Sequence, residues 1–262
     1  MVLAPVLVPL LLASAVAYLV LCLRPQLLER TLVPTEKQAK PKKHYLFVTA
    51  HPDDECMFFS PTLAALARRP NTNISLLCLS KGDADGQGET RKKELVKAAV
   101  SFGLTPDSVI IVDDPNLPDS PHKAWNIALV AKTVETVVAA GDVDTVFTFD
   151  HQGVSGHQNH IAAYMGVKHM ALTAQRFKLN PINVYTLQSV GLVRKYSSIM
   201  DTIFSLGAVM ASGSSLMFVA DVKAYSMGIQ AMALHESQLV WFRKLYLAFS
   251  RYMFINTYSK IN

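Results

Sequence analysis

The sequence predicts an α/β sandwich, a mainly parallel sheet with helices on both faces, and three observations carry that expectation. Short β-branched and aromatic runs alternate with amphipathic segments from residue 44 to residue 149, which is how strands joined by covering helices read. Two histidine-bearing motifs each follow such a run, and ligand sites in open sheets gather beyond the carboxyl ends of the strands. The first 23 residues carry no charged side chain and differ in composition from everything after them.

Residues 1–23 are interrupted only by Pro5, Pro9, Ser14 and Tyr18. Roughly 20 such residues, at about 1.5 Å each, cross a hydrocarbon core, so one N-terminal transmembrane anchor is expected. No Lys or Arg precedes the run, which disfavours a cleaved signal peptide despite Ala13-Ser14-Ala15. Residues 24–43 read as a linker with Arg24, Arg30, Lys37, Lys40, Lys42 and Lys43 against Glu29 and Glu36. By the positive-inside rule this basic flank, and with it residues 44–262, stays on the cytoplasmic side; the same flank suits anionic headgroups. Three cysteines, Cys22 in the span and Cys56 and Cys78 in the domain, suggest no disulfide framework. The net charge of +5 forms no stripe interleaved with aromatics, so nucleic acid is not an expected partner.

In the domain, residues 45–50 read as a strand and 55–69 as a helix with Phe58, Leu63, Leu66 and Ala67 on its apolar stripe. A strand over 73–80, a Gly- and Asp-containing loop over 81–87 and a helix over 88–102 come next. After them stand a strand over 109–112, an acidic Pro-rich loop over 113–121, a helix over 125–140 and a strand over 145–149. A loop over 150–156 leads to a helix over 157–169, then strands over 183–190 and 216–219. Residues 202–220 are uncharged, yet Gly207 and the run from Ser212 to Ser215 argue for a loop and a buried strand over a second span; the apolar first half is left to lie against lipid. Asp221 is placed to N-cap a helix over 222–235. The tail mixes Trp241, Phe242, Leu245, Tyr246 and Phe249 with Arg243, Lys244 and Arg251, a composition that suits a C-terminal helix at a membrane interface as well as one packed on the domain. The architecture is Rossmann-like, but no Gly-x-Gly-x-x-Gly marks a dinucleotide site.

The chemistry concentrates in His51-Pro52-Asp53-Asp54-Glu55, one imidazole and three carboxylates at the end of the first strand, in a turn stiffened by Pro52. Neutral imidazole and carboxylate are Zn²⁺ ligands, and a carboxylate beside them can face a metal-bound water. Spacing alone does not decide which aspartate does which. Further donors come from Gly156-His157-Gln158-Asn159-His160, whose histidines at i and i+3 of a helix start point to one side; one can bind metal while the other reaches substrate. Cys56 reads as a small apolar residue under the turn.

A strand-end His-Pro-Asp-Asp-Glu with a later Gly-His-x-x-His resembles the LmbE-like (PIG-L type) zinc deacetylases, from about residue 44 to the C-terminus. Residues 87–95, Thr186-Leu187-Gln188-Ser189 and the tail from His235 to Asn256 look most like eukaryotic members of that family. What the resemblance implies is a hydrolase removing the N-acetyl group from the glycolipid N-acetylglucosaminyl-phosphatidylinositol, in glycosylphosphatidylinositol-anchor synthesis at the endoplasmic reticulum membrane. It implies His51, Asp54 and His160 as ligands of Zn²⁺, with Fe²⁺, Mn²⁺ or Co²⁺ as other occupants. Asp53 would be the base that later returns a proton to the amine, and a protonated His157 would stabilise the oxyanion. Arg91, which by spacing could simply pair with Glu94, would orient Asp53 or touch substrate; Lys92, Lys93 and Lys97 read as a solvated face. His235 is expected to be structural or to shape the pocket floor. The competing readings are a membrane-bound deacetylase of another N-acetylated amino sugar and a non-catalytic scaffold with a relic site.

Overall fold

The computed structural model describes residues 4–24, 42–120, 123–176, 182–212 and 215–261. Its strands are β1 (Lys43–Thr49), β2 (Thr72–Cys78), β3 (Val109–Ile111), β4 (Thr145–Phe149), β5 (Asn183–Leu187), β6 (Ser215–Val219) and β7 (Ile255–Lys260). They form one sheet in the order β3-β2-β1-β4-β5-β7-β6. From β3 to β5 every pairing is parallel, with Phe47 of β1 opposite Phe147 of β4. Strand order reverses between β1 and β4, and that reversal opens the crevice in which such sheets bind ligands. The two histidine motifs leave the sheet from these two adjacent strands.

The helices are α1 (Ala4–Leu23), α2 (Asp54–Phe58), α3 (Ser60–Ala67), α4 (Gly88–Ser101), α5 (Ile127–Gly141), α6 (Gln158–Arg176), α7 (Leu192–Lys195), α8 (Thr202–Ser212), α9 (Val222–Ala233) and α10 (Trp241–Phe249). On one side of the sheet α5 packs on α6; on the other, α9 packs on α2, α3 and α4. Covered on both faces, the central strands are apolar in succession, and Leu46, Phe47, Val48, Leu76, Leu77, Val146, Phe147 and Phe149 are all buried.

Several expectations change. The helix expected over 55–69 is two, broken at Phe59 (φ −117°, ψ 1°), because Pro61 has no N–H for the preceding turn and the Ser60 hydroxyl donates to the Cys56 carbonyl. The loop expected before the 216–219 strand is the helix α8; its Gly207 lowers helix propensity by about 1 kcal/mol, too little to outweigh packing of Val209 and Ser205 in the interior. The sheet is mixed at one edge, since β7 runs antiparallel to both β5 and β6. That last strand went unread because its buried members include Asn256 and Thr257, which break the apolar pattern; Asn256 is satisfied by donating to the Phe58 and Tyr252 carbonyls at 2.9 and 3.2 Å. Asp221 does cap α9, accepting from Ala224 N at 2.7 Å while Arg68 holds its other side.

The span expected over residues 1–23 is seen as a helix whose second half docks. Ser14 and Leu21 are buried and the Tyr18 hydroxyl donates to the Ala220 carbonyl, so α1 lies on α8 and β6. Leu7, Val8, Leu11 and Leu12 are exposed. Among the described residues no helix is long and apolar enough to cross a membrane. Most of the expected linker lies outside the described residues.

Candidate active site

At the end of β1 the chain turns on Asp53, which holds the left-handed conformation (φ 99°, ψ −21°) that side chains other than glycine rarely adopt. Strain of this kind persists only where surroundings impose it. Here the Asp53 N–H donates to Glu55 Oε2 at 3.0 Å and its carbonyl accepts from Met57 N at 3.0 Å. Glu55 is fixed in turn by His235, whose Nε2 lies 2.6 Å from Glu55 Oε1 with both side chains fully buried. Burial opposes charge on His235, but the Glu55 carboxylate outweighs it and raises the imidazole. The expected structural role of His235 is thus a specific one: it anchors the turn that aims Asp53. Cys56 lies against Met232 and the Asp53 carbonyl, and burial, with Glu55 and Asp53 beside it, pushes its thiol well up. It is no thiolate.

Asp54 points the other way. Its Oδ2 accepts from Ala50 N and His51 N at 3.0 and 2.9 Å, leaving Oδ1 3.2 Å from His160 Nε2. Burial alone would raise this carboxyl; His160, His51 and the backbone donor outweigh it and hold it well below the ordinary range.

The end of β4 delivers the second motif through a contorted turn in which Gly153 (φ 54°) and Val154 (φ 67°) are both left-handed. Asp150 accepts from Gly153 N, and Ser189 bonds both Asp150 and Val154 N, so Thr186-Leu187-Gln188-Ser189 at the end of β5 acts as the clamp. A side chain at 153 would meet His160 Cβ at 2.9 Å. His160 Nδ1 faces the Gly153 carbonyl at 3.2 Å and its ring stacks on Phe149 at 4.0 Å, which presents Nε2 to Asp54. His157 stacks on His160 at 4.5 Å and is half-buried.

Arg91 enters from α4. Its guanidinium donates to the Pro52 and Gly82 carbonyls, each at 2.8 Å, and to Asp119 Oδ2 at 3.0 Å, with Asp53 Oδ2 at 3.6 Å. Gly82 must be glycine, since an added Cβ would lie 2.6 Å from that guanidinium. The pairing with Glu94 is not made; Glu94 accepts from the Ser237 N–H and hydroxyl at 2.8 and 2.6 Å, which explains the His235-Glu236-Ser237-Gln238 stretch.

Three contributors were not read from the sequence. Asp119, in the acidic loop after β3, bridges Arg91 and His51 Nε2, 3.2 Å from the latter; an aspartate in a loop at the carboxyl end of a strand was the available signal. Asn159 places its side-chain amide 2.9 Å from the same nitrogen. Arg243 of α10 donates to Asp53 Oδ2, from a part of the chain about which local pattern says nothing.

His51, His157 and His160 bring ring nitrogens within 4.8 Å of one another, and Asp54 lies 3.2 Å from His160 and 4.0 Å from His51. Donors about 2.0–2.2 Å from a tetrahedral ion stand roughly 3.4 Å apart, so the three imidazoles, with Asp54 Oδ1 beside His160 (the 4.0 Å approach to His51 is made by its other oxygen), are a donor group from which a metal ion could take its ligands. Asp119 behind His51 is the carboxylate that commonly orients a ligating imidazole. Burial works against a charged His51, yet Asp119, Asp54 and Asp53 prevail and raise it, so the site favours a cation there. A cleft of about 320 Å³ runs on from Asp119 past Leu117, Asp113 and Ser80. The larger cavity, about 450 Å³, lies by His44, Asn73 and Thr105 at the opposite ends of the strands.

For His157, burial and then His160 and His51 push the imidazole down to about 4, which runs against the protonated state expected of it. At neutral pH it is an uncharged donor. Its ordinary value is near 6.5, so below that pH the unfolded chain takes up a proton that the folded chain refuses down to about 4. Stability from this group is full above that window and is lost as pH falls through it. In chelator-treated protein, His157→Gln should therefore flatten the acid-side decline of the urea midpoint; an unchanged slope would show His157 ionising freely.

The family described as PIG-L, GlcNAc-PI de-N-acetylase, matches residues 46–171. The N-acetylglucosaminyl-phosphatidylinositol de-N-acetylase of Bos taurus is 42% identical over 212 residues, 81% of either chain. The probable enzyme of that name from Schizosaccharomyces pombe is 40% identical over 82% of this chain and 86% of its own. Among solved structures, the N,N'-diacetylchitobiose deacetylase of Pyrococcus horikoshii superimposes with a TM-score of 0.60 at 16% identity, covering 94% of this chain and 91% of the other, a likeness of fold. With both motifs at one sheet crevice and relatives this similar over four-fifths of their length, the chain belongs to the PIG-L, GlcNAc-PI de-N-acetylase family.

Proposed function

We propose that this protein hydrolyses the acetamide of N-acetylglucosaminyl-phosphatidylinositol to glucosaminyl-phosphatidylinositol and acetate, a step of glycosylphosphatidylinositol-anchor synthesis. The observation that carries the reading is a buried carboxylate, Asp53, held beside a cluster of imidazoles and the Asp54 carboxylate in a chain similar over about four-fifths of its length to de-N-acetylases of that glycolipid. His51, Asp54 and His160 hold the metal, and Zn²⁺ suits the mixed donors. When bound, it supplies an acidified water and polarises the acetamide carbonyl. Asp53 takes the proton of the attacking water and gives it to the departing amine. His157 donates from its neutral imidazole to the developing oxyanion. Arg91 keeps the Pro52 carbonyl, and so the Asp53 turn, in place.

The same reading puts the protein at the endoplasmic reticulum membrane, with residues 1–23 as its single N-terminal anchor and the domain on the cytoplasmic face. It is supported by the uncharged run, the basic flank and the exposed apolar first half of α1. On α10, Trp241, Phe242, Leu245 and Phe249 are 50–73% exposed while Tyr246 and Leu247 are buried; this reversed amphipathicity suits a helix lying in a lipid interface. Metal-loaded protein should release acetate from the glycolipid in mixed micelles. Release only from soluble N-acetylated sugars would favour a deacetylase of another amino sugar.

A further inference from the structure

The site holds two arginines against one aspartate, and they are not equivalent. Arg91 is 7% exposed and spends its guanidinium on two carbonyls and Asp119. The Arg243 side chain is 20% exposed, and its described contacts, Asp53 Oδ2 and Met57 Sδ, both go through Nη1. Its Nε and Nη2 have no partner among the described residues. A guanidinium with an open edge is a ready fork for two oxygens of one phosphate.

The rest of the crevice is acidic, with Asp53, Asp54 and Asp119 converging there. These carboxylates are engaged with Arg91 and His160, so a phosphodiester needs a cationic partner of its own. Arg91 leaves only a buried Nε without a partner, out of a substrate's reach; Arg243 sits on α10, whose other face is exposed and apolar, so it enters the site from the side on which a lipid-borne substrate arrives. We propose that Arg243 is the specificity residue for the substrate's phosphodiester: it leaves Asp53 to form a forked pair with the phosphate, and thereby frees the Asp53 carboxylate to act as base. This deepens the function proposed above and rests on it. Rotation about the unbranched side chain of Arg243 accomplishes the exchange, and a substrate lacking the phosphodiester leaves the arginine on Asp53.

The test compares two soluble substrates, N-acetylglucosaminyl-inositol and its 1-phosphate methyl ester, by kcat/KM for acetate release. Wild type should prefer the phosphodiester. Arg243→Gln should reduce that preference by about 10- to 100-fold, the worth of one charge-assisted bond, through a higher KM for the phosphodiester and a higher kcat for the substrate without it, and Arg243→Lys should restore part of it. The ratio is insensitive to partial misfolding, which lowers both substrates alike. A wild-type ratio retained in Arg243→Gln overturns the assignment and leaves Arg243 a positioning residue for Asp53. Failure of wild type to release acetate from the full glycolipid overturns the function itself, and the proposal with it.

Discussion

Asp53→Asn should lower kcat for acetate release by about 10²- to 10⁴-fold with bound metal undiminished. Asparagine keeps the size and the hydrogen-bonding oxygen of the side chain, so the turn held by Glu55 and His235 survives, but it accepts no proton from water. Because Asp53 lies outside the set of Asp54, His51 and His160, metal measured by emission spectrometry after gel filtration should match wild type. KM should change little. Asp53→Asn protein that loses its metal would make Asp53 a ligand and leave the base unassigned.

His160→Ala should abolish both metal retention and activity. Loss of groups that merely orient ligands weakens metal binding by about 10- to 100-fold, and loss of a ligand itself exceeds that. His160 is fixed by the Gly153 carbonyl, the Phe149 ring and Asp54. Its removal also strips the buried Asp54 of the partner that does most to keep it ionised. Chelator competition would quantify the loss. Since His157 shares the cluster, the companion His157→Ala is the discriminating comparison: it should keep metal and lose rate. The reverse pattern would exchange the two histidines.

Much of the site is short-range and was legible for that reason. His51, Asp53 and Asp54 occupy one turn after a strand, and His157 and His160 stand just before and within the first turn of a helix, so spacing and the strand-then-loop pattern sufficed to bring each set together. Arg91 needed the family resemblance, because its alternative partner Glu94 stood three residues away and only the fold shows Glu94 spent on Ser237. The lowering of His157 was not legible in the sequence, because burial and two neighbouring imidazoles cause it, and those are properties of packing.

What the sequence determined by itself is the alternation that makes the sheet, the two motifs at strand ends and the apolar character of residues 1–23, all of which follow from side chains a few positions apart. Tertiary structure decided that α1 docks its second half on the domain, that α8 is helical, and that a polar-looking tail becomes an inner strand whose Asn256 finds buried partners 4 and 198 positions away. It also decided that Asp119 and Arg243 join the site, the latter across 190 positions. The physical reason is the same in each case. A buried polar or charged group is tolerable only where partners meet it, and those partners are chosen by the fold and not by proximity along the chain.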